Sequence, residues 1–145
     1  MSEMKVVGLG IANVDLVLRI RDMPTFENSN ILSGYALADG GPAGTACVVA
    51  SAFGVKTGFI DTYGNDDMAA LKYRKLDEAG VDLSQMVRRD SAEDHIFIVY
   101  VHEATGERYF SSLPEFLSQP VLVEELDRDY ITSADYLHLD CCPSD

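Results

Sequence analysis

Residues 40–54 read GGPAGTACVVASAFG: a glycine pair, a proline, then a run of small and apolar side chains closed by Gly54. Glycine ahead, proline at the first turn and glycine behind are helix start and stop signals, so Ala43 to Phe53 is expected to be helical. A helix with so little polar surface is expected to be buried on most sides. Upstream, KVVGLGI (5–11) is a short β-branched run that reads as a buried strand. Two extended stretches follow, Leu16 to Ile20 and about Asn30 to Leu37, separated by Pro24 and a polar turn.

Downstream, KTGFIDTY (56–63) reads as the next strand. Asp66 is the expected N-cap of a helix that runs to Ala79 and stops at Gly80. Met68, Leu71, Leu76 and Ala79 would form its apolar stripe, with Lys72, Arg74, Lys75 and Asp77 on its wet side. His95 to Val101 is a strand apolar on both faces, and Ala104 to Glu107 turns it into a hairpin with Arg108 to Ser111. A last helix over Val121 to Tyr130 and a closing strand over Asp135 to Asp140 complete the order. Strands alternating with helices through short connections predict an α/β fold with a parallel sheet. The stretches 16–37 and 95–111 interrupt that rhythm as a small antiparallel flap. No repeat or linker divides residues 1–145, which read as one domain.

Composition narrows the function classes. The 145 residues are 47% hydrophobic and 24% charged, as in a globular protein. Eleven basic against 24 acidic residues give a net charge of −13, opposite to the basic footprint of a nucleic-acid binder and unsuited to an anionic membrane surface. No apolar run approaches the ~18 residues of a membrane span, and the start lacks a signal peptide's basic region. Cys47, Cys141 and Cys142 have no metal-type spacing and read as reduced thiols of a cytoplasmic protein. Eight acidic residues and only Arg128 lie between Ser112 and Asp145, a solvated acidic face.

Position alone singles out a candidate site. Asn13 and Asp15 follow the first strand, Gly40-Gly41 precedes a helix, and Asp140 ends the last strand. In an open parallel sheet all of these lie at the carboxyl edge, where such folds bind ligands. An Asn and an Asp offer donors and acceptors to the hydroxyls of a polyol, the carboxylate through charge-assisted bonds. The same pair also suits a turn after a strand. Gly40-Gly41 lets a ligand approach the backbone at a helix start. In GLGIAN (8–13) Asn13 takes the third glycine position of a dinucleotide fingerprint, and the chain beyond looks extended, against a nicotinamide enzyme. His95, His102 and His138 share no metal-type spacing and fit strand positions facing core or solvent; Cys47 fits packing.

Taken in order, these features resemble the N-terminal half of the ribokinase-like (PfkB) carbohydrate kinases. The family's first strand leads into N-x-D, matched by Gly8, Gly10, Asn13 and Asp15; its Gly-Gly signature and alanine-rich helix are matched by Gly40 to Gly54. A strand, G-x-D and a helix closing in G-V are matched by Gly64, Asp66, Leu76, Gly80 and Val81. The resemblance implies ATP-dependent phosphorylation of a sugar hydroxyl, with Mg2+ accompanying the nucleotide. Asn13 and Asp15 would hold sugar hydroxyls, Gly40, Gly41 and Thr45 would line the pocket, and Asp140 would lie near sugar and phosphates. Residues 16–37 and 95–111 would form a β lid that pairs with a second subunit in a homodimer, and Arg108 could meet an anionic group. Closing a lid excludes water from the phosphoryl donor.

Several positions depart from the pattern. Thr45 stands where Asn is usual, and Ala69 where Gly is frequent. G-G-P-A-x-T is similar to the sulfofructose kinase branch, yet Cys142 stands where that branch leads one to expect arginine. Family members run about twice this length, and their second half holds G-A-G-D, with the catalytic aspartate and anion hole. No catalytic base is therefore expected among these residues, which would form the sugar side and lid of a larger kinase. A nucleoside kinase, with Phe97, Tyr100 or Phe110 as a base platform, is the alternative acceptor class. A non-catalytic sugar-binding or assembly module is the rival of another kind.

Overall fold

The computed structural model describes residues 4–27 and 31–140. In chain order it runs β1 (Val6–Leu9), β2 (Asn13–Ile20), β3 (Gly34–Gly40), α1 (Pro42–Ala52), β4 (Thr57–Ile60), β5 (Thr62–Tyr63) and α2 (Asp67–Glu78). There follow β6 (Val87–Arg88), β7 (Ile96–His102), β8 (Arg108–Ser112), a 3-10 turn (Val123–Glu125), α3 (Arg128–Thr132) and β9 (Tyr136–Leu139).

The first apolar run becomes the centre of a parallel sheet ordered β4-β1-β9, with Val7 opposite both Gly58 and Leu137. Helix α1 returns the chain from the β3 end to β4 and packs on β1 and β4 through Ala43, Gly44 and Cys47. Ala43 and Cys47 meet Ala12, Phe59, Leu76, Val81 and Leu83 in one core beneath α1 and α2. A second cluster, Met4, Val7 and Ile60, is covered on the other face by Leu126, Tyr130 and Ile131. Helices thus cover both faces of the sheet at β1 and β4, as in a parallel α/β arrangement, while β9 is exposed along its length.

The start and stop signals act as expected at α1 and α2. Pro42 opens α1, and Gly41 (φ 86°) and Gly54 (φ 80°) occupy conformations that glycine adopts without strain. Asp66 caps α2 by accepting the Ala69 N–H at 3.0 Å. The burial expected on most sides of α1 is confined to one face: Ala43, Gly44 and Cys47 are buried, whereas Val49 is 48% exposed and Phe53, at the C-cap, 84%.

Three other expectations are corrected. The flap is a four-stranded sheet, β3-β2-β7-β8, whose two antiparallel hairpins join through a parallel β2–β7 pair rather than forming a purely antiparallel piece. The strand expected over 56–63 divides at Asp61, because β4 pairs with β1 whereas β5 pairs with β6. The helix expected over Val121 to Tyr130 breaks into the 3-10 turn and α3. Asp127 starts α3 afresh by accepting the Tyr130 N–H at 3.0 Å, and Arg89 pins the preceding turn through Glu125 (2.5 and 2.6 Å) and the Pro120 carbonyl (2.7 Å). Asn30, Cys141 and Cys142 lie outside the described residues.

Candidate active site

Asn13 and Asp15 are not in a turn. They are the first and third residues of β2, so the period of the strand places them on one face, opposite Gly40 and Ala38 of β3. The Asn13 side-chain amide donates to the Asp15 carboxylate. Burial raises the Asp15 pKa, the Asn13 bond opposes that shift, and the negative charge of Asp39 adds to it. Gly40 leaves the room this pair needs: a Cβ there would run into the Asn13 amide and stand 2.7 Å from the Asp15 carboxylate. At Gly41 a Cβ would strike the Ile11 carbonyl, on a backbone already at φ 86°.

Asp140 clips this corner together. Its Oδ1 accepts the Ile11 N–H at 2.9 Å and its Oδ2 accepts the Ala43 N–H at 2.7 Å, in the first turn of α1. A carboxylate at a helix N-terminus gains from the dipole as well as from the bonds. Each oxygen keeps a second acceptor direction. Asp140 thus joins the strand end, the β1–β2 bend and α1.

Two concavities open here and share Asn13. The larger, about 380 Å³, is lined by Ile11, Asn13, Asp15, Gly41, Pro42 and three aromatic rings, Phe97, Phe110 and Phe116. The smaller, about 170 Å³, holds Gly40 and Thr45 together with Asp39, Lys72 and Lys75. The structure therefore brings Asn13, Asp15, Gly40, Gly41 and Thr45 to one place, with Asp140 behind them. It does not bring Arg108 there. Arg108 is exposed and opposite Val101, four residues along β7 from Phe97, or about 13 Å at strand rise. Tyr100 also points away, because it alternates with Phe97 and Val99 and stacks on Tyr109 at 6.3 Å.

Phe116 escaped the sequence reading, since it lies in the irregular stretch after β8; its ring packs 4.8 Å from Phe97 and 5.5 Å from His95. More was missed beneath the cleft. Lys72, read as solvent-facing, is 3% exposed, and Asp61, Glu93 and His95 are buried around it. A signal existed: Lys72 lies four residues from both Met68 and Leu76, inside the apolar stripe.

The chemistry of these residues suits a neutral polyol better than a triphosphate. Lys72 is enclosed by acceptors, Lys75 pairs with Asp39 at 3.1 Å, and the first-turn amide of α1 already serves Asp140. Glu93, Asp94 and His95 lie close enough to share a metal ion, but the Lys72 ammonium occupies the cationic position beside Glu93 and His95. Among the described residues, the groups present do not fit the phosphates of ATP or its Mg2+.

Buried Cys47 is a packing residue; its burial pushes the thiol pKa up to about 11. His95 lies in the core and His138 on the exposed strand β9. No helix among the described residues is long and apolar enough to cross a membrane.

Known proteins share this fold. The chain is 25% identical over 135 residues to an ATP-dependent ribose-1-phosphate kinase of Halopiger xanaduensis, covering 93% of this chain and 45% of that one. An Arabidopsis thaliana ribokinase complexed with ribose and ATP superposes with a TM-score of 0.79 at 18% identity, over 96% of this chain and 45% of the other. A fructokinase from Xylella fastidiosa with bound ATP gives 0.74 at 20% identity, over 95% and 42%. The chain thus spans under half the length of these relatives and shares their ribokinase-like fold. The family model described as pfkB family carbohydrate kinase matches residues 3–144, and the chain belongs to that family.

Proposed function

We propose that this chain supplies the sugar-binding side and lid of a kinase that transfers the γ-phosphoryl group of ATP, as its Mg2+ complex, to a sugar hydroxyl. The observation that carries the reading is the Asn13–Asp15 pair on one strand face, walled by Gly40, Gly41 and Thr45 at the carboxyl edge of the sheet. The carboxylate can accept two neighbouring hydroxyls and the amide beside it can donate to a third oxygen, fixing a polyol's orientation. Asp140 stands behind the site as a further candidate contact. No catalytic base is assigned within these residues.

Phe97, Phe110 and Phe116 favour a second acceptor, a nucleoside, whose base would stack on the rings. For the four-stranded sheet we propose lid closure over the cleft and pairing with a second copy in a homodimer. Its far face is apolar, with Tyr35 77% and Tyr109 59% exposed.

Titrating D-ribose, ribose-1-phosphate and adenosine into the chain tests the site. Asp15→Ala removes at least one charge-assisted bond, so affinity for the true ligand is expected to fall about 10- to 100-fold. If all three ligands bind wild type and Asp15→Ala equally, the assignment is wrong.

A further inference from the structure

The buried polar side chains beneath the cleft form one connected cluster. Lys72 Nζ lies 2.7 Å from the Thr62 carbonyl, 3.0 Å from Asp61 Oδ2, 3.3 Å from Glu93 Oε1 and 3.0 Å from His95 Nδ1. Lys72 has three protons to share among these four acceptors, and the other ring nitrogen, His95 Nε2, faces Asp94 Oδ1 at 3.4 Å as a buried atom with no hydrogen-bond partner among the described residues. Glu93 also receives the Gly64 N–H at 3.2 Å and the His95 N–H at 3.0 Å. The side chains of Lys72, Asp61, Glu93 and His95 are all at most 5% exposed.

Two further bonds give the cluster its direction. Asp61 Oδ2 accepts the N–H of Ala12 at 3.0 Å, and the carbonyl of His95 accepts the N–H of Val14 at 3.0 Å. These are the backbone amides on either side of Asn13. Lys72 itself forms part of the wall of the smaller concavity beside Asn13.

We propose that Asp61, Lys72, Glu93 and His95 are positioning residues: together they fix the backbone from Ala12 to Val14 and thereby set Asn13, and through it Asp15, for the acceptor. Each side chain has a distinct part. Asp61 holds Ala12, Glu93 and its own neighbour His95 hold the start of β7 against Val14, and Lys72 supplies the cation that lets two carboxylates share a buried space. A core of apolar side chains would fill the same volume but would leave the Ala12 N–H without its acceptor. Positioning within a fraction of an ångström is what a sugar site on a strand end requires.

The inference rests on the sugar-site reading for its consequence but not for its structural part, and the experiment separates the two. Amide exchange is followed by NMR in the ligand-free chain for wild type, Asp61→Asn and a control, Leu83→Ala, which loosens the apolar core that Ala12 shares but removes no bond of the polar cluster. Asp61→Asn presents an amide to Lys72 and weakens the Ala12 bond. The Ala12 and Val14 amides are expected to exchange at least tenfold faster in it, with the Asn13 side-chain resonances displaced. Leu83→Ala lowers the melting temperature without that local change. D-ribose titration of the same three proteins is expected to show about tenfold weaker binding for Asp61→Asn and unchanged binding for Leu83→Ala. Wild-type protection at Ala12 and Val14 in Asp61→Asn would overturn the proposal, as would equal loss of ribose affinity in both variants. If wild type ignores ribose yet Ala12 responds, the positioning stands and the sugar reading fails.

Discussion

The two larger sheets of this molecule treat burial in opposite ways. In β4 every residue is buried, and helical segments cover both faces of the sheet at β1 and β4, with β9 alone exposed at its edge. In β8 only one of five residues is even partly buried, and β3 is exposed along most of its length. Strand β2 belongs to both regimes: Asn13 and Val14 are buried at the body, and Asp15 to Arg19 run out into the four-stranded sheet. The candidate site lies at that seam. The difference teaches that its precision comes from the body, where backbone and side chains are held by packing and a charged cluster. The four-stranded sheet contributes exposed surface.

The most severe way to break the contrast is to remove the cation beneath the seam. Lys72→Met leaves Asp61 and Glu93 buried without a counter-charge, and a loss of about 3–5 kcal/mol of unfolding free energy is expected by urea denaturation. Pairing it with Asp61→Asn and Glu93→Gln should recover a large part of that loss, because the unpaired charges go too. A single-variant loss under about 1 kcal/mol would mean that water reaches the cluster and that the body is not the rigid partner.

A milder probe acts where the segment after β8 is tied back to the body. The Arg89 guanidinium grips both oxygens of Glu125, and that bond, aided by the Leu122 N–H, lowers the Glu125 pKa from 4.5 to about 2. A depressed carboxylate stabilises the fold above its unfolded value and loses that contribution as pH falls through the folded one. Wild type is therefore expected to exceed Glu125→Gln in urea midpoint at pH 6, with the gap closing between pH 4.5 and about 2. The pair is partly solvated, so the gap is modest and shrinks with salt. A gap that stays constant across this range would assign the strap's worth to packing.

Much of this was legible in the chain, for reasons that differ by element. The helices α1 and α2 announced themselves through Pro42, Gly54, Asp66 and Gly80, because their ends are decided by backbone chemistry at single residues. The N-x-D pair was found by position, although its place inside a strand was not, since strand ends depend on a partner's register. The buried cluster was hidden because a lysine reads as wet by type. Only its place in the Met68–Leu76 stripe hinted otherwise, and Asp61, Glu93 and His95 approach it solely through tertiary packing. The break at Asp127 was likewise invisible, as it needs Arg89, just past β6 and distant in sequence, to hold the turn before it.

The smallest expected effect is also the sharpest test of the lid. Arg108 entered as a candidate contact for an anionic substrate, yet the β7–β8 register carries it to the far end of the cleft face, opposite Val101. An exposed arginine at that distance touches neither Asn13 nor Asp15 while the sheet holds this geometry. Arg108→Ala should then change stability by no more than about 0.5 kcal/mol, and D-ribose affinity by about twofold at most. The same substitution measured with ribose-1-phosphate carries the decision. If it costs tenfold with the phosphorylated sugar and nothing with the free one, the lid must bend until its tip reaches the cleft, because no fixed arrangement of these strands brings the guanidinium there. Equal, small effects on both ligands would leave the lid a wall of aromatic rings, and anion recognition would have to come from elsewhere.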